Sequence, residues 1–241
     1  MKRSRKSGMV ILFSLLMLLA AFGFTEKNPA GHDQKKIRSS RNAMVSLLKD
    51  YGIRDKRILS AMGKIDRHLF VPPAFRDICD PYGDHPCPIG FGQTISQPYI
   101  VAYMTERLGI KNGDNVLEIG TGSGYQAAVI AELGAEVTTL EIIADLAVHA
   151  KKILSEQGYG RVKVVNSSGY IGYPGKAPYD AVIVTCAPPE IPENLLKELK
   201  EGGRLILPVG RYFQKLLFIQ KVNGKIRISE EMNVRFVPMV K

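Results

Sequence analysis

Among 241 residues the chain has only three cysteines, Cys79, Cys87 and Cys186. Three cysteines cannot build a disulfide framework, and no spacing among them matches a zinc site. Cys186 ends an apolar stretch and is expected as a small buried hydrophobe. Cys79 and Cys87 are near enough to pair in an exported protein, but separate packing in core or loop is the expectation. His32, His68, His85 and His149 are scattered without ligand spacing, so no metal is expected. Dense basic runs are also lacking. The net charge is +10, yet four of those charges, Lys2, Arg3, Arg5 and Lys6, stand at the very start. Nothing downstream forms the basic stripe of a nucleic-acid binder. An ordinary basic surface, mildly attractive to acidic proteins, is the reading.

Long apolar runs are missing as well, with one near-exception. Residues 9–24 are uncharged and apolar, but fall short of the ~20 residues a spanning helix needs. The basic start before them gives the form of a signal peptide or anchor, with Ala21-Phe22-Gly23 as a small-x-small cleavage site. Any membrane contact is expected through this segment alone. The competing reading is an over-extended start of translation, since Met44 opens a more ordinary domain edge. Residues 25–38 are polar and read as a linker.

The most informative stretch runs from Asn115 to Gly134. Val116, Leu117 and Ile119 make a short apolar strand. Gly120, Gly122 and Gly124 let the backbone turn tightly and approach a ligand closely. Residues 125–133 have helix character, and Gly134 supplies a C′ stop. A second strand, residues 137–140, ends in Glu141, placed to accept hydrogen bonds from a ribose. The unit is built to hold a nucleoside, and two registers compete. Gly122-x-Gly124-x-x-Ala127 satisfies the dinucleotide fingerprint. Glu118-x-Gly120-x-Gly122-x-Gly124 is the acidic glycine turn of S-adenosylmethionine methyltransferases. An acidic residue in the turn suits an ammonium and a sulfonium better than phosphates, so the second register is preferred.

Residues 39–80 read as helical, with Gly52 as a breaker and Asp55 as an N-cap. Residues 82–99 read as a glycine- and proline-rich loop feeding a helix at Pro98. Beyond Glu141, helix and strand alternate: helix 146–157, strand 162–165, strand 179–185, helix 192–199, strand 202–208. Residues 216–222 and 225–228 form an antiparallel pair around Asn223-Gly224. Such alternation implies a doubly wound, mostly parallel α/β sheet. Its ligands sit at the carboxyl ends of the strands. That predicts a site lined by Glu118, Gly120, Thr121, Gly122, Ser123, Gly124, Glu141, Ser167, Ser168, Gly169 and Thr185. Taken singly, Ser96 reads as a helix cap and Asp84 as a turn residue.

Taken together, these segments resemble the protein-L-isoaspartate O-methyltransferase family over nearly all of residues 39–241. The carriers are Asp66-Arg67-His68-Leu69-Phe70-Val71-Pro72, Pro88-Ile89-Gly90-Phe91-Gly92-Gln93-Thr94-Ile95-Ser96-Gln97-Pro98-Tyr99 and Val116-Leu117-Glu118-Ile119-Gly120-Thr121-Gly122-Ser123-Gly124-Tyr125. Downstream come Pro208-Val209-Gly210, Gln214 and Val234-Arg235-Phe236-Val237-Pro238. The resemblance implies a seven-stranded Rossmann-like methyltransferase sheet with a helical N-terminal addition. It divides the catalytic domain into an acceptor-covering part, residues 39–110, and a cofactor-binding core, residues 111–241. It implies a monomeric, cytoplasmic enzyme that methylates isoaspartyl residues of damaged proteins with S-adenosylmethionine and no metal. Ser96 takes the family's catalytic position, and Asp84, Ile89, Gly90, Gln93, Thr94 and Gln97 are expected around the acceptor.

The acceptor carboxylate, with a pKa of about 4, is already a nucleophile at pH 7. Alignment and exclusion of water are therefore expected of the protein, and no strong base. Ser96 is expected to orient the carboxylate, and Asp84 to face a substrate N–H or the sulfonium. One departure stands out: Ser167-Ser168-Gly169 occupies the place of the family's Gly-Asp-Gly. A neutral Ser168 in place of a charged acceptor predicts S-adenosylmethionine binding weaker by roughly tenfold. The alternatives are a methyltransferase with another carboxyl or small-molecule acceptor, and a non-catalytic binding relative.

Overall fold

The computed structural model describes residues 29–240. Residues 1–24, with the basic start, the apolar run and its cleavage site, lie outside the described residues. The chain divides into two compact units at the junction of Arg38 and Ser39. Residues 29–38 belong to a helix, α1 (Pro29–Asp50), where composition predicts a polar linker. Among the described residues no helix is long and apolar enough to cross a membrane.

In the second unit, Met44 and Leu48 of α1 are fully buried, and α1 stops before Gly52, whose φ is +100°. Helix α2 (Lys56–Lys64) starts where expected: the Asp55 carboxylate accepts the Arg57 N–H at 2.8 Å. A 3-10 turn (Arg67–Phe70) and a single helical turn, α3 (Pro73–Arg76), follow. The predicted loop of residues 82–99 contains a small antiparallel hairpin, β1 (Cys87–Gly90) with β2 (Gln93–Ile95). Pro88, Gly90 and Gly92 hide its alternation, since proline and glycine are poor strand formers. Cys79 and Cys87, expected to pack separately, are joined as a disulfide with Cα atoms 5.8 Å apart. The loop between them returns on itself and brings the two sulfurs together, which sequence distance alone does not reveal.

Helix α4 (Pro98–Leu108) then leads into the alternating part: β3 (Asn115–Ile119), α5 (Tyr125–Glu132), β4 (Glu136–Glu141), α6 (Ala144–Glu156), β5 (Lys163–Asn166), β6 (Tyr179–Val184), α7 (Glu193–Lys197), β7 (Leu199–Val209), β8 (Gln214–Val222) and β9 (Lys225–Val234). Seven strands form one sheet in the order β5-β4-β3-β6-β7-β8-β9. Strands β3 to β7 pair parallel, and β8 is antiparallel to both neighbours. Val182, Ile183 and Val184 are wholly buried, as a parallel strand covered on both faces requires. Leu117, Leu140, Val182, Leu205 and Ile219 continue that core across five strands. The β8–β9 turn is made by Asn223 and Gly224, both at positive φ, the geometry the Asn-Gly pair predicts.

The strand order fixes the site. From β3 the chain proceeds outward through β4 and β5, then returns to the other side of β3 with β6. The carboxyl ends of β3 and β6 flank that reversal, and a crevice opens there.

Candidate active site

The turn after β3 is shaped by what it must leave out. Gly120 has φ +93°, and a Cβ on it would lie 2.6 Å from the Thr185 Oγ1. Thr185, at the end of β6, donates that hydroxyl to the carbonyls of Ile119 (3.0 Å) and Gly120 (2.7 Å). Glu141, at the end of β4, accepts the N–H groups of Gly122 (2.8 Å) and Ile143 (2.9 Å). Each carboxylate oxygen keeps a lone pair for a ribose hydroxyl. The Thr121 and Thr139 hydroxyls bond at 2.7 Å, joining the turn to β4.

Glu118 is the exception in this satisfied network. Its side chain is fully buried, and among the described residues neither oxygen meets a donor in good hydrogen-bond geometry, the nearby Thr139 hydroxyl being bonded to Thr121. Burial pushes its pKa up to about 8, opposed in part by the neighbouring Thr139 hydroxyl and reinforced by the Glu141 charge. A buried carboxylate without a partner is costly, and it lines a narrow cavity with Gly120, Thr121, Gly122, Ser123 and Tyr125. A cationic ligand in that cavity would remove the cost. S-adenosylmethionine, with its ammonium and sulfonium, fits this donor set, whereas a pyrophosphate would repel it.

The same cavity is lined by Thr94, Ile95 and Ser96. The cofactor turn and the acceptor segment therefore meet in one space. A larger cavity of 490 Å³ adjoins it, lined by Thr94, Ser96, Gln97, Thr185, Arg235 and Phe236 among others. Ser96 does not cap α4: the N-cap is Gln97, and the Tyr99 N–H is taken by Asp84 at 2.9 Å. The Ser96 hydroxyl makes no hydrogen bond among the described residues and is free for a ligand. Its backbone is held instead, because the Ser96 carbonyl accepts from Arg67 Nη2 at 2.8 Å. Arg67 is wholly buried, donates Nε to the Pro81 carbonyl at 2.7 Å, and lies over the Tyr125 ring.

The structure sorts the expected residues into three groups. Ser96, Thr94, Gln97, Glu118, Gly120, Thr121, Gly122, Ser123 and Thr185 line the two adjoining cavities. Gln93, Glu141 and Gly169 line a third, on the β4 side, with Ile142 and Ser167. Asp84, Ile89, Gly90, Gly124 and Ser168 line none of the three. Both Asp84 oxygens are engaged within the protein, by Tyr99 N–H and by Gln97 Nε2 at 2.8 Å. Asp84, expected to face a substrate N–H or the sulfonium, here fastens the start of α4. Gly124 is the left-handed N-cap of α5, where a Cβ would press on Leu154. On the 167–169 turn, Ser167 rather than Ser168 lines the cavity.

In the sequence the C-terminal segment figures only as part of the resemblance and is not placed at the site. Arg235, Phe236 and Val237 line the acceptor-side cavity, and Pro238, Met239 and Val240 line the β4-side cavity. Apolar residues carry no chemical signature, but Arg235 has neither an ion pair nor a hydrogen bond among the described residues. Cys186, expected as a buried hydrophobe, is half-buried on the β4-side wall. Burial raises its thiol to about 12, so it stays protonated.

Known proteins agree with this geometry. Residues 39–241 match the family of protein-L-isoaspartate(D-aspartate) O-methyltransferases. A protein-L-isoaspartate O-methyltransferase of Methanoculleus marisnigri is 50% identical over 205 residues, covering 84% of this chain and 92% of that one. Its counterpart in Gloeobacter violaceus is 48% identical, covering 80% and 95%. A solved protein-L-isoaspartate O-methyltransferase superposes with a TM-score of 0.76 at 30% identity, and this chain spans 66% of that protein's length. A Plasmodium falciparum protein assigned to the same enzymes, solved with S-adenosyl-L-homocysteine, gives a TM-score of 0.74 at 27% identity, with 83% of this chain and 98% of that one covered. With its second unit matched from end to end and half of its aligned residues shared with a relative of nearly the same extent, the chain belongs to the protein-L-isoaspartate(D-aspartate) O-methyltransferase family.

Proposed function

We propose that the chain transfers a methyl group from S-adenosylmethionine to the free α-carboxyl of L-isoaspartyl residues in damaged proteins. The observation that carries this reading is the shared cavity, where Glu118 and the glycine turn face Thr94 and the free Ser96 hydroxyl. Glu118, Gly120, Thr121, Gly122, Glu141 and Gly169 hold the cosubstrate, which supplies a methyl carbon activated by a positive sulfonium. Ser96 donates its hydroxyl to one carboxylate oxygen and leaves the other aimed at that methyl. No base is needed, because the acceptor is ionised at pH 7. The exposed, unpaired Arg235 on the cavity wall draws the anionic acceptor in. It is solvated, so it does not quench the nucleophile as a buried partner would. The C-terminal segment and the β1–β2 hairpin line the cavity walls, and an acceptor seated between them displaces water from the reacting atoms, where charges that neutralise during transfer are favoured.

In the product the ester is a better leaving group than the carboxylate. The neighbouring backbone nitrogen displaces methanol and closes a succinimide, and its hydrolysis returns some normal aspartyl linkage. The acceptors are proteins and peptides, with no nucleic acid, and the working unit is a monomer. Supply of S-adenosylmethionine supports the cytoplasm as the site of action. The Cys79–Cys87 disulfide supports a second reading, an exported form, since such bonds persist in oxidising compartments. Trapping the thiols at harvest with an alkylating agent separates the two readings.

The activity is tested with labelled S-adenosylmethionine, an isoaspartyl peptide and its normal aspartyl twin. Base-labile label on the isoaspartyl peptide alone is expected. Label on both peptides, or on neither, would sink the proposal.

A further inference from the structure

The turn between β7 and β8 is firmly built and carries an unusual load. Gly210 has φ +131°, and a Cβ there would collide with the Phe213 carbonyl, so only glycine closes this turn. Its N–H donates to the Pro188 carbonyl at 3.0 Å. At the other end Gln214 is buried. It donates Nε2 to the Phe236 carbonyl at 3.1 Å and accepts the Phe236 N–H at 2.6 Å. Both ends are fixed, yet Tyr212 and Phe213 between them are each 94% exposed, beyond the 74% of Ile78, the next most exposed large apolar side chain described.

Position gives the pair its meaning. Strand β7 runs parallel to β6, so its carboxyl end lies on the same edge of the sheet as Thr185. Gln214 is bonded to Phe236, and Phe236 shares the acceptor-side cavity with Ser96. The aromatic turn is therefore fastened to the wall of that cavity while its side chains point away into solvent.

Resting on the acceptor reading above, we propose that Tyr212 and Phe213 are an exosite that binds apolar side chains flanking the isoaspartyl residue of the acceptor chain. Ser96 is half-buried on the wall of the cavity, so a main-chain carboxyl reaches it most readily from a locally unfolded segment, and unfolded segments expose apolar side chains that a native fold buries. A tyrosine and a phenylalanine held on a closed turn offer large contact area with few rotamers to freeze. Selection would thus act on unfolding around the lesion as well as on the lesion itself.

The test uses the full chain and two isoaspartyl peptides that differ only in flanks, phenylalanine and leucine in one, serine and glycine in the other. Wild type is expected to show a KM lower by about fivefold or more for the apolar peptide, equivalent to about 1 kcal/mol. Tyr212→Ser/Phe213→Ser should erase that preference while leaving kcat, S-adenosylmethionine affinity and the KM of the serine–glycine peptide unchanged. Tyr212→Phe should retain it. A variant with the wild-type preference overturns the exosite, as does an equal loss on both peptides. So does a wild-type dimer that the double variant dissociates without touching the preference, which would make a second copy the occupant. Methylation of neither peptide by wild type would remove the acceptor reading first, and the exosite with it.

Discussion

Glu118 sets the strongest residue-scale expectations. Its folded-state pKa of about 8 stands against an ordinary 4.5, so the unliganded fold favours the neutral form. The unfolded chain ionises first, and stability must fall as pH rises from 4.5 to 8. Glu118→Gln should flatten that fall in denaturant titrations between pH 5 and 8; a slope equal to wild type would count against it. Cationic S-adenosylmethionine favours the ionised form, so binding at pH 7 should release about one proton. Calorimetry in two buffers of different ionisation enthalpy reads this directly, and zero release would refute the pairing. Ser96→Ala should depress turnover far more than S-adenosylmethionine affinity; unchanged turnover would leave Ser96 without a catalytic part. Arg235→Ala should raise acceptor KM by about three- to tenfold at low salt, with kcat spared and the effect shrinking as salt screens it. A salt-independent effect would mean that Arg235 packs and does not steer. The roughly tenfold weakening expected from Ser168 meets a structure in which Ser167 is the serine on the wall.

At the level of elements, the disulfide loop is the part with consequences for the acceptor site. Cys79 and Cys87 close a short ring whose Pro81 carbonyl receives Arg67, and Arg67 in turn holds the Ser96 carbonyl. Replacing both cysteines by serine removes a constraint worth about 2–3 kcal/mol for a ring of this size. The expected result is a lower melting temperature and a higher acceptor KM, with S-adenosylmethionine affinity little changed. An unaltered KM would confine the disulfide to stability. This region was also the least legible in sequence. The glycine turn, Asn223-Gly224 and the Asp55 cap are local, set by residues within a few positions, and each stands where the pattern puts it. Asp84 caps α4 from 15 residues away and Arg67 reaches Ser96 from 29, so neither leaves a local trace. Reading Ser96 as the α4 cap followed the local rule, and the remote carboxylate displaced it.

At the scale of the whole molecule, an ion pair ties α4 to the far edge of the sheet. Glu231 on β9 accepts from Arg107 on α4 at 2.7 and 2.8 Å, and from the Tyr103 hydroxyl at 2.7 Å. The Arg107 guanidinium beside it holds the Glu231 carboxyl down at about 2. Its contribution is fully present above the ordinary 4.5 and is lost as pH falls toward 2. Glu231→Gln should lower stability at pH 7 and remove part of the acid dependence between pH 4.5 and 2; parallel profiles for the two proteins would refute this. Strand β9 has a second property. It is the outermost strand, and among the described residues one long side of its backbone has no neighbour in the sheet. An open margin of this kind can recruit a foreign strand and seed aggregation. Exposed Lys225, Arg227 and Glu230 place charge of both signs along it, which discourages such pairing. If its acceptors arrive partly unfolded, as the proposed exosite requires, that hazard attends every encounter, and a charged border keeps the sheet from becoming the template on which they collect.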